Sequence, residues 1–90
     1  MPTNQTESLI QYPCEFPIKV MGKNNPEFKS AVIHVCQQLD DQFDSTQMEE
    51  RNSKENNYLG LTIIFHATSR EQLDEVYRTL STHPLVSVVL

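Results

Sequence analysis

Tryptophan is absent from this chain, glycine and cysteine occur twice each, and no arginine precedes Arg51. Cations are scarce as well: seven Lys and Arg stand against twelve Asp and Glu, for a formal net charge of −5. Each shortage excludes something. Cys14 and Cys36 could form one bridge at most, which is no disulfide framework, and no Cys-x-x-Cys occurs to hold zinc or a redox centre. Two reduced thiols are expected, in a cytoplasmic protein. No apolar run approaches the ~20 residues that cross a bilayer. The N-terminal residues lack a basic start, an apolar core and a small-residue cleavage site, so no secretory signal is expected. An acidic chain is a poor binder of phosphate backbones unless its few cations cluster. Ninety residues allow one domain and leave no room for a large enzyme fold.

Apolar residues are placed with clear periods. Residues 1–13 read as a polar tail that could dock through Leu9, Ile10 and Tyr12, and residues 14–90 read as a single domain. Phe16, Ile18 and Val20 alternate with Pro17, Lys19 and Met21, the period of a strand. Gly22-Lys23-Asn24-Asn25 reads as a turn. Asn25-Pro26-Glu27 then opens a helix, with Asn as the cap, Pro at the first helical position and Glu at the positive end of the dipole. Phe28, Val32, Val35 and Leu39 form its apolar stripe, with Ala31 and Cys36 beside it.

Residues 40–57 are polar. They hold Asp40, Asp41, Asp44, Glu49, Glu50 and Glu55 against Arg51 and Lys54, so most of the net charge sits here. A long structureless loop is uncommon in a compact domain. A charged edge strand near residues 46–51, with a hairpin turn at Ser53–Asn57, accounts for the stretch better. Tyr58–His66 is the strongest strand: Leu59, Leu61, Ile63 and Phe65 share one face, while Gly60, Thr62, Ile64 and His66 share the other. A capping box follows, either Thr68 with Glu71 or Ser69 with Gln72. Leu73, Val76, Tyr77 and Leu80 mark a second helix. His83-Pro84 stops it, and Leu85–Leu90 closes the chain as a strand.

The order β-α-β-β-α-β with right-handed crossovers gives a ferredoxin-like α+β sandwich. Its four antiparallel strands are expected in the order 4-1-3-2, with both helices on one face. Phe16-Pro17, Lys19-Val20-Met21-Gly22 and Phe28, followed by Ser53, Asn57-Tyr58, Ala67-Thr68, Glu71-Gln72, Tyr77, Leu80 and Val88-Val89-Leu90, resemble the YbeD-like family of small bacterial proteins of unknown function. The resemblance spans roughly residues 8–90. It implies a fold similar to that of ACT regulatory domains, which sense amino acids, and it supplies no catalytic residues. One departure is Glu55-Asn56-Asn57, where similar proteins often carry Gly. Asn tolerates the left-handed conformation, so the turn is expected to survive.

Two surfaces are candidate sites. The turn Gly22, Lys23, Asn24 and Asn25 joins a strand to a helix start, where free N–H groups and Lys23 would favour an anionic group. In ACT domains the corresponding turn contacts the effector. The competing reading is an ordinary capped turn. Acylphosphatases cradle phosphate at this place with an arginine, which this chain lacks there. The second surface is the sheet face away from the helices. By alternation it carries Lys19, Met21, Thr62, Ile64, His66, Leu85, Ser87 and Val89, of which Met21, Ile64, His66 and Val89 are the expected contact residues for a protein partner or a second copy. RNA-recognition domains share the strand order, but the third strand here lacks their basic start and aromatic alternation. Tyr58 and Phe65 also point to opposite faces.

His34, His66 and His83 fall at no ligand spacing, so neither metal nor cofactor is expected. No nucleophile has a base at a motif spacing. The expectation is therefore a regulatory or adaptor domain rather than an enzyme. It would bind a protein partner or itself, or a small-molecule effector, but not nucleic acid or membrane. A ligand-free homo-oligomeric protein is the alternative reading, with an RNA-binding module behind it.

Overall fold

The computed structural model describes residues 11–90. Strand β1 (Cys14–Lys23) leads into helix α1 (Pro26–Leu39). A short 3-10 turn (Ser45–Gln47) precedes strand β2 (Glu49–Asn52), which is followed by strand β3 (Tyr58–Ala67), helix α2 (Arg70–Ser81) and strand β4 (Val86–Val89). All strand pairs are antiparallel, and the order across the sheet is β2-β3-β1-β4. This is the expected sandwich, with the expected strand order.

The helix starts form as their residues dictate. Asn25 accepts the Glu27 N–H at 2.8 Å and so satisfies one orphan donor of α1, with Pro26 at the first position. Of the two capping boxes, Ser69/Gln72 is the one that forms: Ser69 Oγ accepts the Gln72 N–H at 3.1 Å. The Gln72 carboxamide does more than close the box. Its oxygen accepts from the N–H and O–H of Thr68, while its nitrogen donates to the Leu39 carbonyl at 2.5 Å. It thereby ties the start of α2 to the end of α1. At the β2–β3 hairpin, Asn56 takes φ 61°, the left-handed conformation that Asn tolerates without glycine.

The core lies on one face of the sheet. Ile18, Val20, Leu61, Ile63 and Phe65 are fully or almost fully buried under Phe28, Val32 and Val35 of α1 and Leu73, Val76 and Leu80 of α2. Burying a side chain such as Phe65 or Leu61 contributes roughly 1.5–3 kcal/mol. Phe16 reaches the same layer, edge-on to Tyr77 with ring centroids 6.5 Å apart. Tyr12 is half-buried against this core. Leu9 and Ile10 lie outside the described residues.

Three details depart from the sequence reading. Gly22 and Lys23 belong to β1, because Leu59 and Tyr58 pair with them, so the turn is only Asn24-Asn25. The charged edge strand starts at Glu49, with the 3-10 turn taking residues 45–47. The third departure concerns β4. Val89 pairs with Val20 and Val88 with Met21, but Gly22 pairs with Val86, so one residue is bulged. The bulge breaks strict alternation. Val86 and Val89 both turn to the core and Leu85 packs with them, while Ser87 and Val88 are both exposed. Val89 and Leu85 therefore leave the expected open face, and Val88 takes the place of Val89 there.

Candidate functional site

The strand-to-helix turn is tightly used by the fold. A Cβ on Gly22 would stand 2.5 Å from the Leu85 carbonyl oxygen and 2.6–2.7 Å from the Phe28 ring. The missing side chain thus makes room for Phe28 and Leu85. The Asn24 N–H donates to the Asn57 carbonyl, and its side-chain amide to the Asn56 carbonyl, both at 2.9 Å. Asn25 is occupied as the helix cap. Lys23 is exposed.

The open sheet face has a different character. The exposed large hydrophobic residues among those described are Met21, Tyr58, Val88 and Leu90, and all four lie on this face. Leu90 exchanges both backbone bonds with Lys19 (2.7 and 3.2 Å), which places its side chain beside that of Lys19. Leu90 is 71% exposed and Met21 and Val88 are each 44% exposed, high values for apolar side chains grouped together. A hollow of about 780 Å³ runs between them and the charged strand β2. Its floor is Gly60 and Thr62, its walls are Met21, Val88 and Leu90 on one side and Glu49 and Arg51 on the other, and Lys19 lines it between Thr62 and Leu90. Gly60 creates the depth: a Cβ there would meet only the Arg51 carbonyl at 3.6 Å and Met21 Cγ at 3.9 Å, both ordinary contacts. Ile64 and His66 continue the face as half-buried residues. Of the expected contact residues, Met21, Ile64 and His66 share this face, and Val89 does not.

A second feature escaped the sequence reading. Asp40, counted there among the acids of the polar stretch, is 2% exposed. β2 covers β3 only from Leu59 to Thr62. Further along that edge, the Asp40 carboxylate replaces the missing strand. Its Oδ2 accepts the backbone N–H of His66 at 2.8 Å and stands 2.8 Å from His66 Nδ1, and its Oδ1 accepts the Gln42 N–H at 2.9 Å. A carboxylate only accepts, so it is Nδ1 that carries a proton in this contact. Nε2 lies 3.9 Å from the exposed Glu15 carboxylate. These groups border a shallow cleft of about 410 Å³ with Gln42, Thr68 and Gln72. The available signal was position: Asp40 follows the apolar stripe of α1 directly, at the negative end of the helix dipole, where an anion is disfavoured unless other donors hold it.

Charge effects here are local. Burial, with the Asp40 carboxylate adding to it, pushes the Cys36 thiol up to about 12. Hydrogen bonds from the Thr46 hydroxyl and N–H hold the Asp44 carboxyl below its usual range, with a smaller contribution from His66. His34 is exposed, and the half-buried His83 accepts the Leu85 N–H through Nδ1 at 3.1 Å. Among the described residues, no three His, Cys, Asp or Glu side chains are grouped to hold a metal ion, and no helix is long and apolar enough to cross a membrane. Cys14 and Cys36 are free thiols.

Comparison with known proteins gives the family and the fold. A UPF0250 protein of Bordetella pertussis is 58% identical over 84 residues, covering 93% of this chain and 92% of that relative. A UPF0250 protein of Ralstonia nicotianae is 54% identical over 88 residues, covering 98% and 91%. The solution structure of protein HP0495 from H. pylori superposes with a TM-score of 0.71 at 17% identity, covering 100% of this chain and 94% of the other, a likeness of fold. The family model described as "Protein of unknown function (DUF493)" matches residues 7–90, and the chain belongs to that family, in agreement with its YbeD-like resemblance.

Proposed function

We propose that the protein is a small regulatory or adaptor module of the cytoplasm, without catalytic chemistry of its own, which acts by contact with another polypeptide through the open face of its sheet. One observation carries the reading: among the described residues the exposed large hydrophobic side chains all lie on that single face, and Met21, Val88 and Leu90 border a hollow there with Gly60 at its floor. Single exposed apolar residues are ordinary, but a group of them with a charged rim is the usual composition of a protein contact surface. The helix side of the molecule has no such patch among the described residues. An effector at the Gly22 turn finds less support, since Phe28 and Leu85 fill the space beside that glycine.

Site-specific photo-crosslinking in intact cells tests this. A photoreactive residue at Val88 should give discrete protein adducts, and the same residue at Glu75, exposed on α2, should not. Equal labelling at both positions, or labelling from Glu75 alone, would refute the open face as the contact surface.

A further inference from the structure

We infer that the partner on the open face is a second copy of this chain, related by a two-fold axis that runs across the strands between two rows of the face. This rests on the open face being a protein-contact surface and adds the identity and geometry of its occupant. The register defines the rows. Arg51 lies beside Gly60, Gly60 beside Met21, and Met21 beside Val88. The neighbouring row on the same face runs Glu49, Thr62, Lys19, Leu90.

Stacking two such sheets about an axis between the rows sets each residue of one row against its counterpart in the other row of the second copy. Glu49 then meets Arg51, an opposite-charge contact made twice. Thr62 meets Gly60, so a small side chain enters the hollow of the facing sheet. Leu90 meets Val88, and the aliphatic stem of Lys19 lies along Met21 with its ammonium free to reach water. The other in-plane two-fold, parallel to the strands, would place the charges of β2 over Val88 and Leu90, burying charge against apolar surface. Complementarity therefore selects the first axis. Among the described residues, neither Glu49 nor Arg51 has an ion-pair partner within its own chain, whereas the neighbouring Glu50 is paired with Lys29.

The contact is modest. The strands are spaced ~4.8 Å apart; β1 and β3 are about 33 Å long, but the four-residue edge strands β2 and β4 only about 13 Å, so one face measures roughly 440 Å². Two such faces bury roughly 900 Å², below the ~1,200–2,000 Å² typical of stable complexes and in the range of transient ones. Pairing is accordingly reversible, with dissociation expected in the micromolar range.

Sedimentation equilibrium on the full chain at low salt, with charge swaps, tests both occupant and axis. The wild type should form a dimer. Glu49→Arg and Arg51→Glu should each weaken it by at least about tenfold, because each change acts at both symmetry-related contacts. The double variant Glu49→Arg/Arg51→Glu should return to within about threefold of wild type, since the swap rebuilds both pairs. Helical and strand content by circular dichroism confirms that each variant is folded. A wild type that stays monomeric at several hundred micromolar overturns the inference. So do single reversals without effect, or a double variant that remains as weak as the singles. The crosslinks from Val88 separate the two levels: adducts of a mass other than twice the chain, with a monomeric wild type, remove self-pairing and keep the contact face. No adducts at all remove both.

Discussion

The two glycines of this chain sit on adjacent strands, one residue out of step, and face opposite ways. Gly22 pairs with Leu59 and Gly60 with Met21. Beside Gly22, on the helix side, the Phe28 ring and the Leu85 carbonyl already occupy the place of a side chain. Beside Gly60, on the open side, a Cβ would meet only ordinary contacts. One glycine is thus required by a close-packed layer, and the other leaves a hollow that the described residues do not fill. The contrast extends to the two faces of the sheet. The inner face is closed by the two helices, while the outer face gathers apolar groups that the described residues leave exposed.

The largest expected effect breaks or confirms that contrast directly. Gly22→Val should destabilise by about 3 kcal/mol, because backbone and ring must both move to admit it. Gly60→Val should change stability by less than about 1 kcal/mol, while filling the hollow. Urea unfolding midpoints at constant slope measure both, and similar values would erase the distinction between the faces.

Next comes the edge where β2 stops. Asp40→Ala should cost about 2 kcal/mol, since it strands the N–H groups of His66 and Gln42 and removes the ring's acceptor together. His66→Ala should cost less than half of that, because both backbone donors keep their carboxylate. The comparison separates Asp40 as a substitute for strand pairing from Asp40 as a mere partner of an imidazole. Thermal unfolding of the two variants side by side decides it: equal losses would mean that the ring contact dominates.

Smaller still are changes to the open face itself. Met21→Ser and Val88→Ser should each alter stability by no more than about 0.5 kcal/mol, since these side chains are nearly half-exposed in one chain. Val20→Ser, one residue from Met21 and fully buried, should cost about 3 kcal/mol. Denaturant titration at low protein concentration reads these differences without any contribution from self-association. A large loss from Met21→Ser in the monomer would show that the outer face already packs within the single chain.

How much of this was legible in the residues follows the same division. The helix stripes Phe28/Val32/Val35/Leu39 and Leu73/Val76/Tyr77/Leu80 and the alternation of Leu59 to Phe65 report burial directly, because each element presents a fixed period to one core. The order of the elements and the handedness of their crossovers then leave one sandwich. Three things depend on pairing between distant segments and carry no local period. The bulge opposite Gly22 decides which valines of β4 face inward, so Val89 and Val88 exchange places relative to strict alternation. The neighbours of Gly22 come from α1 and from Leu85, so its sequence context, a glycine before Lys-Asn-Asn, reads as a turn. Asp40 sits in an acidic run, and beyond its place just after the stripe of α1 it is distinguished by where β2 ends. The open face was legible as a face through Met21, Ile64 and His66, but its hollow was not, because depth at Gly60 depends on which residues flank it on β1 and β2.

The finest test concerns the inner face in alkaline solution. Cys36 is fully buried beside Asp40, and its thiol is raised to about 12 from an ordinary 9.0. The native state therefore holds the thiol proton over a range in which the unfolded chain releases it. A group raised in this way stabilises fully below its unfolded value, and that contribution fades as pH climbs toward the native one. Wild type should thus lose stability between about pH 9 and 12 relative to Cys36→Ala, whose alkaline loss lacks this component. Subtracting the two pH profiles cancels the lysines and tyrosines, which titrate in both proteins. In parallel, Cys36 should resist alkylation at pH 8 until the chain unfolds, since the thiolate is the reactive form and both charge and access are denied to it. Rapid alkylation of Cys36 in the native protein would mean that the helix layer opens readily, and the inner face would then lose its claim to be the closed one.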